Sequence, residues 1–193
     1  MNKTHLEFLA SPDWARMLET DLLPWLDGVA GLGDDVLEVG PGPGLTTDLL
    51  RTRTARVTAV EVDDALAGAL AQRLAGTNVE VILGDGTDTG LPAARFSAAT
   101  SFSMLHHMPT PEQQDLLFAE LYRVLRPGGA FVGTDSRDLD AIRAGHFDDV
   151  FVPVDPATLR GRLEAVGFTA VSVDVGDYQI RFHATKPATG ERG

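Results

Sequence analysis

Two acids and three glycines follow neighbouring apolar runs, where they could hold a nucleotide-like ligand. Glu38 lies near the end of the first run, and Glu61 ends the next one. Three glycines alternate directly after the first run, at Gly40, Gly42 and Gly44. Glycines after a buried strand let backbone and ligand approach where any Cβ atom would clash, and an acid one strand later can accept both ribose hydroxyls. The spacing therefore predicts a glycine loop and an acid around a nucleoside.

Further motifs follow in a fixed order along the chain. Gly84-Asp85-Gly86 comes after a third apolar run, residues 96–101 lead into Met104-Leu105-His106-His107, and Leu125-Arg126-Pro127-Gly128-Gly129 precedes the apolar run 130–133. Together with the pattern E-x-G-x-G-x-G that begins at Glu38, this ordered set resembles the class I S-adenosylmethionine-dependent methyltransferases, in particular small single-domain members of the type 11/25 kind. The resemblance covers about residues 30–185.

This resemblance implies S-adenosylmethionine as cofactor and S-adenosylhomocysteine as product. It places Glu38 beside the glycine loop, where the carboxylate would accept hydrogen bonds from loop amides or, through water, from the ligand's ammonium group. A purely structural acid that satisfies the loop is the alternative reading. For Glu61 the resemblance implies contact with the ribose.

The remaining implied cofactor contacts follow the second, third and fourth apolar runs. Asp85 matches the position that accepts a hydrogen bond from the adenine amino group, although Asp is also a turn former in Gly-Asp-Gly. The other implied contacts are Gly86 and Thr87 at the ring edge, Val62 against the ring, and Ser101 and Phe102 under the transferred methyl group.

Two adjacent histidines are candidates for acid–base chemistry. A histidine near the end of the fourth strand could take a proton from an oxygen or nitrogen nucleophile, which makes His106 and His107 catalytic candidates. Helix capping or packing is the alternative, because neutral histidine is an ordinary hydrogen-bonding group. Adjacent histidines lack the i, i+4 spacing of metal ligands on one helix face, and His5, His146 and His183 have less context. We therefore predict no metal site.

The elements that must position these residues alternate between strands and helices, which predicts an α/β fold. We expect a Rossmann-like three-layer sandwich whose seven-stranded, mostly parallel sheet has an antiparallel C-terminal hairpin strand. We expect one domain (1–185) followed by a flexible tail (186–193). The domain has three expected parts: a helical cap (1–30), a cofactor-binding half (31–135), and a substrate-side loop, helix and terminal strands (136–185). Within the third part, the irregular stretch 135–154 reads as a loop near the substrate.

Composition restricts the partners. The chain has 193 residues, a formal net charge of −12 and no cysteine, so disulfides, thiolate metal sites and cysteine nucleophiles are excluded. The negative charge disfavours a nucleic-acid substrate, since phosphate binding relies on Lys and Arg. No apolar stretch approaches the roughly 20 residues of a membrane span, and we expect a cytoplasmic monomer or homodimer that acts on a small molecule without membrane association.

The predicted activity is in-line transfer of a methyl group to an O, N, S or C nucleophile. Such a displacement needs positioning more than a protein nucleophile, and none is evident. A cofactor-binding module without turnover is one alternative. An NAD(P)-dependent oxidoreductase is another, but its fingerprint is G-x-G-x-x-G rather than G-x-G-x-G, and the chain has no second catalytic domain.

Overall fold

Seven strands form the centre of the molecule. The structure, a computed structural model, describes residues 3–29 and 31–188, with side chains from residue 6 onward. The strands are β1 Asp35–Val39, β2 Arg56–Glu61, β3 Val79–Leu83, β4 Phe96–Phe102, β5 Leu125–Ser136, β6 Thr169–Val175 and β7 Gln179–Thr185. They lie in the order β3-β2-β1-β4-β5-β7-β6, with β7 antiparallel to both of its neighbours and the pairs among β1 to β5 parallel. The predicted sheet is confirmed.

Helices connect the strands and cover both faces of the sheet. They are α1 Lys3–Leu9, α2 Pro12–Met17, α3 Leu23–Val29, α4 Leu45–Leu50, α5 Asp64–Arg73, α6 Pro111–Val124, α7 Asp140–Gly145 and α8 Pro156–Val166. A π-helical segment, Leu18–Leu22, joins α2 to α3, and a 3₁₀ turn, Leu105–His107, follows β4. None of the described helices is long and apolar enough to cross a membrane.

Local sequence signals begin and end several of these helices. Ser11 accepts a hydrogen bond from the Trp14 amide, 3.1 Å away, and so caps α2. Asp155 caps α8 ahead of a proline, and Gly167 ends α8 with a φ of 116°, a left-handed conformation that favours glycine. Within the predicted helical cap (1–30), the described residues form α1 to α3, with the π-helical segment between α2 and α3.

The core consists of two layers, because side chains on the central strands alternate between the faces of the sheet. Val36 and Val57 pack with Leu18, Leu22 and Leu26 of the N-terminal helices, all of them buried. On the opposite face, buried side chains of β1, β4 and β5 pack against α6 and α8, among them Leu37, Phe131, Phe118, Leu121 and Leu163. β1 is buried along its whole length, as is typical of a central parallel strand.

The structure corrects two expectations near the C-terminal half. The stretch 135–154 is not only loop, because it contains the short helix α7. Lys186 is not part of a flexible tail: its amide donates to the Gly129 carbonyl and its carbonyl accepts from the Gly128 amide. This pairing continues the sheet beyond β7. β5 begins at Leu125, which pairs with Phe96 of β4, and so starts before the predicted apolar run 130–133. Residues 189–193 of the predicted tail, and residues 1, 2 and 30 of the predicted cap, lie outside the described residues.

Candidate active site

A cavity of about 460 Å³ opens where β1, β2 and β4 end at the carboxyl edge of the sheet. This is the edge at which open α/β sheets bind ligands, and the volume is typical of a small-molecule site. The predicted site residues that line it are Gly40, Gly42, Glu61, Val62, Asp85, Gly86, Thr87, Phe102 and His107. Four others do not line it: Glu38, Gly44, Ser101 and His106.

Glu61 is held in place by the main chain around it. One carboxylate oxygen accepts a hydrogen bond from the Gly42 amide, and the other accepts one from the Asp63 amide, both at 3.0 Å. The side chain lines the cavity, although the residue is only 5% exposed. A carboxylate has about four acceptor positions, so two remain for hydroxyl donors of a ligand.

Glu38 binds a different set of donors from those predicted. It is buried beneath the loop and accepts hydrogen bonds from the hydroxyls of Thr46 and Thr47, at the start of α4. Burial raises the pKa of its carboxyl group to about 7, against the opposing effect of these two hydrogen bonds. Its described partners are therefore hydroxyls at the start of α4 rather than loop amides, and its contact with the ligand through water stays a prediction. Thr46 itself lines the cavity.

Two loop glycines are required by close packing. Gly40 has a φ of 69°, and a Cβ atom there would overlap with the Met104 side chain. Gly44 has a φ of 85° and lies against Leu70 and Arg73 of α5, on the side away from the cavity. The glycines are therefore required by packing against the turn after β4 at Gly40 and against α5 at Gly44.

At the end of the cavity beside β2 and β3, one acid and one apolar side chain lie close to solvent. Asp85 is exposed, and one of its carboxylate oxygens accepts hydrogen bonds from both the amide and the hydroxyl of Thr87, each at 2.8 Å. Asp85 therefore stabilises a turn, as the alternative interpretation of Gly-Asp-Gly predicted. Val62 is 73% exposed, which is unusual for an aliphatic residue directly after a buried strand and leaves a surface for an aromatic ring.

The two candidate histidines have different environments. His106 is fully buried, and its Nδ1 lies 2.6 Å from Oδ1 of Asp135, which is also buried. His107 lines the cavity, with its Nδ1 3.7 Å from Oδ1 of Asp149. His146, from the irregular stretch, packs against both rings. Only His107 is therefore placed to reach a molecule in the cavity.

Much of the opposite wall consists of residues that the sequence did not single out, although Asp149 and Val150 come from the stretch 135–154 that was predicted to lie near the substrate. α1 and α2 contribute Leu6, Leu9 and Trp14, and residues beyond α7 contribute Asp149 and Val150. The turn after β4 adds Met104, Met108 and Pro109. The apolar pattern of the first helix predicted burial but not which residues face a cavity, and the stretch that carries Asp149 has no periodicity.

A sequence model of the family described as "Methyltransferase domain" matches residues 37–133, just over half of the chain. The chain belongs to this family. The match covers β1 to β5, with the glycine loop, Glu61 and the His-His turn, so the family predicted from the sequence is confirmed.

Individual relatives resemble this methyltransferase domain over stretches of different length. A ribosomal RNA small subunit methyltransferase A from Deinococcus radiodurans is 49% identical over 69 residues, which are 34% of this chain and 24% of the relative. A ubiquinone biosynthesis O-methyltransferase from Azoarcus sp. is 31% identical over 124 residues, 62% of this chain and 52% of the relative. The chain thus spans between about a quarter and about half of the length of these curated relatives.

Solved structures share the fold over nearly the whole methyltransferase domain. The crystal structure of a SAM-dependent methyltransferase from Aquifex aeolicus superposes with a TM-score of 0.74 at 21% identity. The superposition covers 96% of this chain and 99% of that one. The helices α1 to α3 and the strands β6 and β7, which lie outside the matched residues 37–133, therefore belong to the same fold.

Proposed function

We propose that this methyltransferase domain binds S-adenosylmethionine in the cavity and transfers its methyl group to a nucleophile of a small molecule. The observation that carries the proposal is Glu61, a buried carboxylate that lines the cavity while two main-chain amides fix its orientation. Preorganised acceptors of this kind suit the paired hydroxyls of a ribose. Val62 and the exposed Asp85 lie at the same end, where they suit an adenine ring and its amino group.

The cavity residues have three tasks in this reaction. When bound, the cofactor supplies an electrophilic methyl group: the acceptor's electron pair forms the new bond as the electron pair of the carbon–sulfur bond returns to sulfur. Phe102, Met104 and Trp14 exclude water around that step with apolar side chains. The glycine loop and Glu61 fix the cofactor, so that the acceptor has only to be held in line. His107 is placed to take a proton from an acceptor that must lose one.

A small acceptor with an apolar part fits the remaining wall best. Leu6, Leu9, Met108 and Val150 offer apolar contacts, while His107 and Asp149 offer polar ones. The net charge of −12 works against a polyanionic acceptor. Relatives named as ribosomal RNA methyltransferases match 69 to 127 residues of this chain, so the lining of the cavity and the net charge support the small acceptor, and the relatives do not decide it.

Calorimetry with S-adenosylmethionine tests the cofactor half of the proposal. We expect binding, and Glu61→Ala should weaken it more than tenfold because both ribose hydroxyls lose their acceptor. Glu80→Ala, on the exposed side of β3, is the matched control and should bind normally. Binding of a nicotinamide dinucleotide without binding of the sulfonium, or equal affinity of the Glu61 variant, would contradict the proposal.

A transfer assay with methyl-labelled cofactor tests the acceptor half. We expect label in one class among phenols, alcohols, amines, thiols and activated carbon acids, and none in ribosomal RNA. Label in RNA alone would refute the small-molecule acceptor. Tight cofactor binding without transfer to any of these acceptors would instead support the alternative of a non-catalytic module.

A further inference from the structure

Three histidines from two distant parts of the chain meet beside the cavity. His106 and His107 belong to the 3₁₀ turn after β4, and His146 directly follows α7. One ring nitrogen from each of the three lies within 4.8 Å of the others. The ring centroids are 4.2 Å apart for His106 and His107, and 4.9 Å apart for His106 and His146. Such convergence of imidazoles is the donor set that Zn²⁺ and similar transition metals use.

The surroundings of the cluster orient two of these rings. His106 Nδ1 lies 2.6 Å from the carboxylate of Asp135, which is itself fixed by the Ser136 amide at 2.7 Å. His146 Nδ1 lies 2.8 Å from the main-chain carbonyl of Ile142. Metal-binding histidines characteristically donate one ring N–H to a carboxylate or carbonyl while the other nitrogen binds the metal. Both contacts therefore set Nε2 as the metal-binding nitrogen.

We propose that His106, His107 and His146 bind a divalent transition metal of the zinc class. Nitrogens bound to one tetrahedral ion at about 2.0–2.1 Å lie roughly 3.4 Å apart, so a bound ion would draw the three nitrogens, now within 4.8 Å of one another, closer together. Cofactor binding does not depend on this metal site, but a His107 that binds the ion cannot also take a proton from the acceptor.

Charge and polarity around the cluster also suit a cation. Asp149 Oδ1 lies 3.7 Å from His107 Nδ1, and Asp135 adds a second carboxylate. Phe151 covers the other side, with its ring centroid 4.3 Å from that of His146 and 5.4 Å from that of His106. Apolar cover of this kind limits solvent access to a metal, while His107 faces the cavity. The fourth position of the ion would thus take a water or another oxygen donor from the cavity.

Metal titration of the untagged protein tests this proposal without any cofactor or acceptor. The full chain is stripped with a chelator and titrated with Zn²⁺ by calorimetry and with Co²⁺ by visible absorption. We expect one ion per chain and the intense visible absorption of four-coordinate Co²⁺. His146→Ala should lower the affinity at least tenfold, and Asp135→Asn should lower it about 10- to 100-fold through the orientation of His106.

Matched controls separate metal binding from a general loss of structure. His183→Ala removes a half-buried histidine on β7, outside the cluster, and should leave affinity unchanged. Zn²⁺ should raise the midpoint of thermal unfolding of the wild type and of the His183 variant, but not that of His146→Ala. Failure of the stripped wild type to bind either ion, or equal affinity of wild type and a folded His146→Ala variant, would overturn the proposal.

Discussion

Replacement of Glu38 by glutamine should change how stability depends on pH. Burial raises the pKa of Glu38 to about 7 in the folded protein, against 4.5 for an unperturbed carboxyl. A raised folded-state pKa means that the folded protein holds this proton more tightly than the unfolded chain does. The stabilising contribution is therefore complete below about pH 4.5 and is lost as the pH rises through about 7.

The size of the effect follows from the shift. At 1.36 kcal/mol for each pKa unit, the rise from 4.5 to about 7 corresponds to about 3 kcal/mol of pH-dependent free energy of unfolding. Glutamine keeps the shape and a carbonyl oxygen for Thr46 or Thr47, but it cannot ionise. Between pH 4.5 and pH 8, the free energy of unfolding of Glu38→Gln should therefore rise by about 3 kcal/mol relative to that of wild type.

Urea denaturation at five or six pH values from 4.5 to 8.5 measures this difference. Other titrating groups are common to both proteins and cancel in the comparison. Glu80→Gln, an exposed glutamate on β3, is the control and should show a nearly constant difference. A Glu38→Gln difference that stays within about 0.5 kcal/mol over the whole range would refute the assignment of a buried, proton-holding carboxyl.

Three further substitutions test other parts of the structure. Gly40→Ala should lower the free energy of unfolding by about 1–3 kcal/mol, because φ is 69° and the new methyl group meets Met104, as chemical denaturation would measure. Glu120→Gln should lower the free energy of unfolding at pH 7, because hydrogen bonds from Arg123 lower the pKa of Glu120 and so stabilise its charged form in the folded protein. The difference from wild type should shrink as the pH falls below 4.5. Lys186→Met should cost about 1–3 kcal/mol, because its ammonium donates to two main-chain carbonyls at the end of α6 and the start of β5.

Each of these expectations has a contradicting result. Gly76→Ala measures backbone strain alone, because Gly76 also has a positive φ but has open space around it. If Gly76→Ala and Gly40→Ala lowered the free energy of unfolding equally, overlap with Met104 would not contribute at Gly40. If the loss of stability in Glu120→Gln grew as the pH fell, it would contradict a Glu120 pKa that is lowered by Arg123. Unchanged stability of Lys186→Met would mean that the sheet extension at the C-terminal end does not depend on the ammonium group.

Sequence patterns predicted the features that arise from short-range order. The succession of strands and helices along the chain, the glycine loop and the placement of Glu61 at the end of β2 follow from apolar runs and from the residues that directly succeed them. The Ser11 and Asp155 caps were predictable for the same reason, since a cap acts on amides two or three residues away.

Features that depend on long-range contacts were not predictable. β5 begins early because Leu125 pairs with Phe96 of β4, and Gly128 and Gly129 are held by Lys186, nearly sixty residues later. The threonines that bind Glu38 lie one loop away, and their position in sequence resembles that of ordinary residues in the first turn of a helix. His146 lies in a stretch without periodicity, so only the fold brings it to the histidines after β4.

Part of the wall opposite the glycine loop lies outside the residues that the family model matches, and this has an evolutionary consequence. Gly40, Gly42, Glu61 and Asp85 lie within the matched residues, whereas Leu6, Leu9, Trp14, Asp149 and Val150 lie outside them. Under the proposed function, substitutions in the second group would change which acceptor is bound and would leave the nucleoside side unchanged. Gene copies can therefore diverge in specificity without first losing the chemistry, and a laboratory library confined to those positions would explore the same route.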